Sequence, residues 1–121
     1  MVKFTPSLSE NGVKKTYKFM KKIDWENLPF GYLRTDYNVR CYYRNGKWGE
    51  IEVTTDETLN IHMAATCLHY GQEAFEGMKA YRCPDGKIRL FRPEENAKRL
   101  QSTCRGIMMP EVPTDLFIEM V

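Results

Sequence analysis

The sequence lacks the marks of a membrane, an exported or a metal protein. Its 121 residues hold no apolar run approaching the ~20 residues a membrane-spanning helix needs. Its opening stretch, MVKFTPSLSENGVKK, has no apolar core of the roughly 7–15 residues that a secretory signal carries. Histidine is scarce: His62 and His69 stand two helical turns apart, and no Cys or acid joins them at ligand spacing, so no metal site is expected. The four cysteines, Cys41, Cys67, Cys83 and Cys104, form no C-x-x-C pair. Without an export signal they read as reduced thiols of a cytoplasmic protein. There is no G-x-S-x-G and no P-loop.

A strong charge of either sign is also missing. The net charge is +2, and the positive excess sits in residues 1–22, with six Lys against one Glu; the other residues sum to −3. Nucleic-acid binders carry their basic footprint on the folded face, so no nucleic-acid partner is expected. Residues 1–22 read instead as a flexible, solvated basic arm, because Lys14, Lys15, Lys18, Lys21 and Lys22 repel one another and leave little to bury. What remains is ordinary: 42% apolar and 28% charged residues, enough for one small globular domain over 23–121.

Along that domain, Trp25, Leu28 and Phe30, punctuated by Pro29 and Gly31, read as an irregular segment with apolar anchors over a domain edge. Residues 37–44 alternate, with Tyr37, Val39, Cys41 and Tyr43 on one face. Asn45-Gly46 is a hairpin turn, since both residues tolerate positive φ, and 50–54 return with Ile51 and Val53 inward. Residues 62–70 predict a short helix ended by Gly71. Residues 75–82 predict a strand with Phe75, Gly77, Lys79 and Tyr81 on one face and Met78 and Ala80 on the other. A glycine inside a strand marks close approach to the backbone. Cys83-Pro84-Asp85-Gly86 is a turn, and 87–91 close a second hairpin.

Pro93 suits the first turn of a helix, and Glu94 and Glu95 suit its positive end. Ala97, Leu100, Cys104 and Ile107 form its buried stripe, and Pro110 and Pro113 stop it. Thr114 caps a further apolar helix that the last residue cuts short, so the sequence reads as a piece of a longer protein. Hairpin, hairpin and helix give an α+β class: an antiparallel sheet with helices packed on it.

No complete active site follows from these residues. Arg99 stands about 100° from Leu100, at the flank of the buried stripe, among Glu95, Asn96, Ser102 and Thr103. Its planar fork matches a phosphate, although spacing alone favours a surface arginine with its stem on the sheet. Lys79 shares a face with Phe75 and Gly77, as a perturbed amine or as a solvated lysine.

Longer motifs narrow the choice. LHYGQEAFEGMKAYR (68–82), followed by IRLFRPEENAKRL (88–100), resembles the N-terminal domain of branched-chain amino acid aminotransferases, fold-type IV enzymes that use pyridoxal phosphate. PFGYLRTDYNVRCYY (29–43) and NGKWGE (45–50) resemble the longer subgroup of that family. The resemblance spans about 29–121 and implies roles residue by residue. Arg99 matches the arginine that binds the cofactor phosphate. Phe30 and Phe75 match aromatic walls of the branched side-chain pocket. Tyr70 matches a tyrosine that completes the pocket across a homodimer interface, and Gly77 a glycine in the strand lining the site. The substrates implied are small amino acids (Leu, Ile, Val) and a 2-oxo acid, 2-oxoglutarate. In that family the lysine that forms the Schiff base lies in the larger C-terminal domain, beyond residue 121. The resemblance therefore implies a fragment with no catalytic residue of its own, inactive alone, whose partner is the C-terminal domain of the same protein.

Two alternatives stay open. The shorter F-E-G and arginine elements also fit D-amino-acid aminotransferases and aminodeoxychorismate lyases of the same fold. An RNA-binding module is the other, because Tyr37, Arg40, Tyr42, Tyr43 and Arg44 lie beside the basic arm.

Overall fold

The computed structural model describes residues 23–24, 27–28 and 30–121, so the expected arm over 1–22 and the anchor Trp25 lie outside the described residues. The described chain is α+β. Six short strands, β1 (Asn38–Arg40), β2 (Tyr43–Arg44), β3 (Lys47–Trp48), β4 (Glu52–Thr54), β5 (Ala80–Arg82) and β6 (Ile88–Leu90), accompany three helices, α1 (Thr66–Tyr70), α2 (Pro93–Gly106) and α3 (Thr114–Met120). All strand pairing is antiparallel, as expected, but it falls into three two-stranded ladders rather than one sheet: β1–β4, β2–β3 and β5–β6.

The first hairpin shows why its alternation does not run through. Asn45 and Gly46 both have positive φ, 52° and 79°, which closes the two-residue turn between β2 and β3. Tyr43 pairs with Trp48, but Arg40 pairs with Glu52, so residues 41–42 face the longer stretch 49–51. One extra residue on one side is a bulge, and a slip of one residue exchanges the faces. Val39 and Val53 are accordingly half-buried, whereas Tyr43, expected beside Val39, is exposed and packs edge-on against Trp48. Gly49 makes the bulge possible. Its N–H donates to the Tyr42 carbonyl at 2.9 Å, and a Cβ there would lie 3.3 Å from that oxygen.

The helix before residue 71 is shorter than 62–70 and covers α1 alone; Gly71, at φ 61°, ends it in the left-handed conformation as expected. The following strand also starts late. Residues 71–79 join no ladder, yet their burial alternates strictly: Phe75, Gly77 and Lys79 face outward, and Ala74, Glu76 and Met78 face inward. Pairing begins at Ala80, opposite Leu90, and the Cys83–Gly86 turn closes on a Cys83 N–H to Lys87 carbonyl bond of 2.8 Å.

In α2, Pro93 stands in the first turn, and of the expected stripe Ala97 and Cys104 are buried, at 1% and 2% exposed, Leu100 is half-buried, and Ile107 is half-buried just past the helix end at Gly106, which comes before Pro110. Phe117 of α3 packs into the same seam. Thr114 is not the cap of α3. Pro113 holds that position, and the Thr114 hydroxyl accepts from Gln101 Nε2 at 3.2 Å. Two longer ties bring the first hairpin and the 71–79 segment to this seam: Trp48 Nε1 donates to the Glu111 carbonyl at 2.9 Å, and Gln72 Nε2 to the Ile107 carbonyl at 2.8 Å. Leu28 and Phe30 are exposed, so the expected anchoring of their segment over an edge does not occur among the described residues.

Candidate functional site

The site is built where the inward face of 71–79 meets the N-terminal half of α2. Asn96 and Arg99 are three residues apart, so both side chains leave the helix on one side. Both reach Glu76. Arg99 donates from Nε to Glu76 Oε2 at 2.8 Å and from Nη2 to Glu76 Oε1, a two-point ion pair along the side edge of the guanidinium. Asn96 Nδ2 donates to Glu76 Oε1 at 2.8 Å and to the Gly77 carbonyl at 3.1 Å. The Glu76 side chain is 5% exposed, the Arg99 side chain 67%. The carboxylate is therefore enclosed while the arginine stands at the surface, and the terminal edge of its fork donates to no described residue.

This arrangement fixes the charge of Glu76. The Arg99 bonds dominate the opposing cost of burial, Asn96 adds to them, and the carboxyl is pulled from 4.5 down to about 2. A group whose folded pKa is depressed contributes stability that is complete above its unfolded value. That stability is lost as the pH falls through the folded value. Glu76 should therefore support the fold fully above about pH 4.5 and lose that support toward about pH 2. Because Arg99 is mostly exposed, solvent screens its share of that stability. Chemical denaturation across this range should give a shallower loss of stability in Glu76→Gln than in the parent; identical slopes would refute the pairing.

Of the residues singled out from the sequence, Phe75 and Gly77 meet on the outer face, and Arg99 reaches the intervening Glu76 from the inward face. The Phe75 ring lies over Gly77, where a Cβ would meet ring carbons at 3.4 and 3.6 Å. The expected close approach to Gly77 is thus made by Phe75 on one face and by Asn96 at its carbonyl. Tyr70 and Phe75 project as rings 84% and 89% exposed, and Phe30 is fully exposed. Lys79 shares the outer face with Phe75. Glu76 went unnoticed in the sequence, although alternation alone puts it inward beside Met78, where a carboxylate requires a cation.

The aromatic and arginine residues of the first hairpin are engaged locally. Arg40 donates to Asn38 Oδ1 at 2.7 Å and to the Asp56 carbonyl, Tyr43 meets Trp48, and Arg44 lies 4.9 Å over the Tyr42 ring. No cluster of metal-ligating side chains, and no helix long and apolar enough to cross a membrane, occurs among the described residues.

The donor chemistry suits one end of pyridoxal phosphate. An exposed guanidinium edge fits the phosphate, and the outer face of the same segment carries the exposed Phe75 ring over Gly77. No family model matches the chain. Individual proteins do. The chain is 56% identical over 99 residues to a branched-chain-amino-acid aminotransferase of Haemophilus influenzae, and 45% identical over 100 residues to one of Helicobacter pylori. These matches cover 82% and 83% of this chain and 29% of each relative. A chloroplastic branched-chain amino acid aminotransferase 2 of Humulus lupulus is 39% identical across 98% of the chain and 30% of its own length. The chain thus spans about three-tenths of the length of these relatives.

Proposed function

The chain is a member of the branched-chain-amino-acid aminotransferase family, and on that premise we propose that it serves as the small N-terminal domain of such an enzyme. The reaction is transfer of an amino group between Leu, Ile or Val and 2-oxoglutarate. Pyridoxal phosphate, when bound, supplies the electron sink for that transfer. The residues of this chain supply position and surface. Arg99 holds the phosphate. Phe30 and Phe75 line the side-chain pocket, with Gly77 beside them and Tyr70 reaching a second subunit of a homodimer. The cofactor's anchoring lysine belongs to a C-terminal domain of the same polypeptide, in a cytoplasmic enzyme.

The observation that supports this reading is the Glu76–Arg99 pair, because it fixes the guanidinium by its side edge and leaves the terminal edge exposed. The relatives' names favour amino transfer to branched substrates over the D-amino-acid and lyase alternatives. An apolar pocket discriminates by only about 1–3 kcal/mol per methylene, so one site would accept all three branched side chains.

The full-length protein should transaminate L-leucine, L-isoleucine and L-valine with 2-oxoglutarate and leave D-alanine and aminodeoxychorismate untouched. Phe75→Ala should lower kcat/KM for leucine more than for glutamate, since leucine uses the apolar wall fully. Activity on D-alanine instead, or an equal fall for leucine and glutamate, would overturn the substrate assignment or the role of Phe75.

A further inference from the structure

We propose that Glu76, locked by Asn96, is the positioning residue of the cofactor-phosphate site: it grips the side edge of Arg99 and thereby aims the terminal edge outward, in a geometry a phosphate monoester accepts bidentately. This rests on the reading of Arg99 as the phosphate ligand and assigns the neighbours that make it one.

A free arginine spreads over many rotamers, and ordering a long side chain opposes binding. A guanidinium has two usable edges. The Nε–Nη2 edge is taken by the two carboxylate oxygens of Glu76, and the Nη1–Nη2 edge donates to no described residue. A ligand phosphate therefore meets an arginine already fixed in one orientation. The holder is itself held. Glu76 is 5% exposed, its Oε1 also accepts from Asn96 at 2.8 Å, and Asn96 is tied in turn to the Gly77 carbonyl at 3.1 Å. The chain Gly77–Asn96–Glu76–Arg99 thus spans from the backbone beside Phe75 to the phosphate end. The Arg99 and Asn96 bonds hold the Glu76 carboxyl at about 2, so it is ionised near neutral pH and the grip is in place there.

The carboxylate also has a cost, since its negative charge lies behind the arginine and opposes a phosphate. Orientation and charge can be separated by substitution. Glu76→Asp keeps the charge but draws the carboxylate back by one methylene, out of reach of the fork. Glu76→Gln removes the charge and keeps the length.

The test uses the full-length apoenzyme, titrated by absorbance with pyridoxal 5′-phosphate and, separately, with pyridoxal, which lacks the phosphate. The readout is the ratio of the two dissociation constants. Arg99→Ala should collapse that ratio. Should it fail to do so, the phosphate assignment of Arg99 itself falls, independently of Glu76. With Arg99 established, Glu76→Asp should cut the preference for the phosphate form about 10-fold, roughly one charge-assisted hydrogen bond. Asn96→Ala, which leaves the charge of Glu76 in place, should cut it about 3-fold, because it removes a brace on Glu76 and leaves both Arg99 bonds standing. In the Arg99→Ala background Glu76→Asp should add nothing. Equal weakening of both ligands would mark Glu76 as structural and overturn the proposal. So would an unchanged ratio in Glu76→Asp, or a ratio raised in Glu76→Gln and unchanged in Glu76→Asp, which is the signature of charge alone. If Glu76→Asp does not fold, the Asn96→Ala ratio decides.

Discussion

Arg99→Ala, made in the full-length protein, should weaken pyridoxal phosphate binding by about 100-fold or more. Charge-assisted hydrogen bonds contribute about 1.5–3 kcal/mol each, and the terminal edge of Arg99 offers a phosphate two of them. A loss of about 3 kcal/mol already corresponds to two decades in affinity. The surroundings add to the loss. Without Arg99, the enclosed Glu76 carboxylate keeps only Asn96 and the Gly77 N–H as favourable partners. An uncompensated negative charge then faces the incoming phosphate. Arg99→Lys retains the charge but gives up the two-point geometry and should fall between the two, about 10-fold weaker than the parent. Titration of the apoenzyme with cofactor measures both. Affinity unchanged within a factor of two in Arg99→Ala would remove Arg99 from the site.

How far the molecule could be read in advance follows the range of the interactions. The Asn45-Gly46 turn, the Gly71 stop, the Cys83–Gly86 turn and the burial of Ala97 and Cys104 are legible in the sequence, because each is set by residues within one turn or one helix of each other. The bulge opposite 41–42 did not. It depends on the close approach of Gly49 to the Tyr42 carbonyl, a contact between strands that alternation along one strand cannot express. The division into three ladders is of the same kind. At the site, Arg99, Phe75 and Gly77 were visible as residues, but Glu76 was passed over. Its partner lies 23 positions along the chain, and only the packing of α2 against 71–79 brings the two together. The rings of Phe30, Tyr70 and Phe75 stand exposed, and the pocket proposed for them would need further surface to close it.

The proposed division of the site between two domains leads to the second large effect: the 121-residue chain alone should transfer no amino group and acquire no stoichiometric, borohydride-stable adduct with pyridoxal phosphate. Lys79 is the one rival, because alternation places it on the outer face with Phe75 and Gly77. Position is not activation. A lysine becomes an efficient nucleophile when it is desolvated in an apolar pocket or set beside another cation, and Lys79 is exposed on a segment that no ladder covers. Arg99, the cation nearest in function, has its side edge committed to Glu76. Reaction of Lys79 with the cofactor should therefore be no faster than that of any surface lysine. The isolated chain should also self-associate at high concentration, since Tyr70 and Phe75 present large uncovered rings. Mixing the purified chain with pyridoxal phosphate, reducing with borohydride and mapping the modified residue settles the point. Scattered, substoichiometric labelling is the expected outcome. Stoichiometric labelling of Lys79 would mean that this chain carries its own cofactor anchor, and the division of the site between two domains would have to be given up.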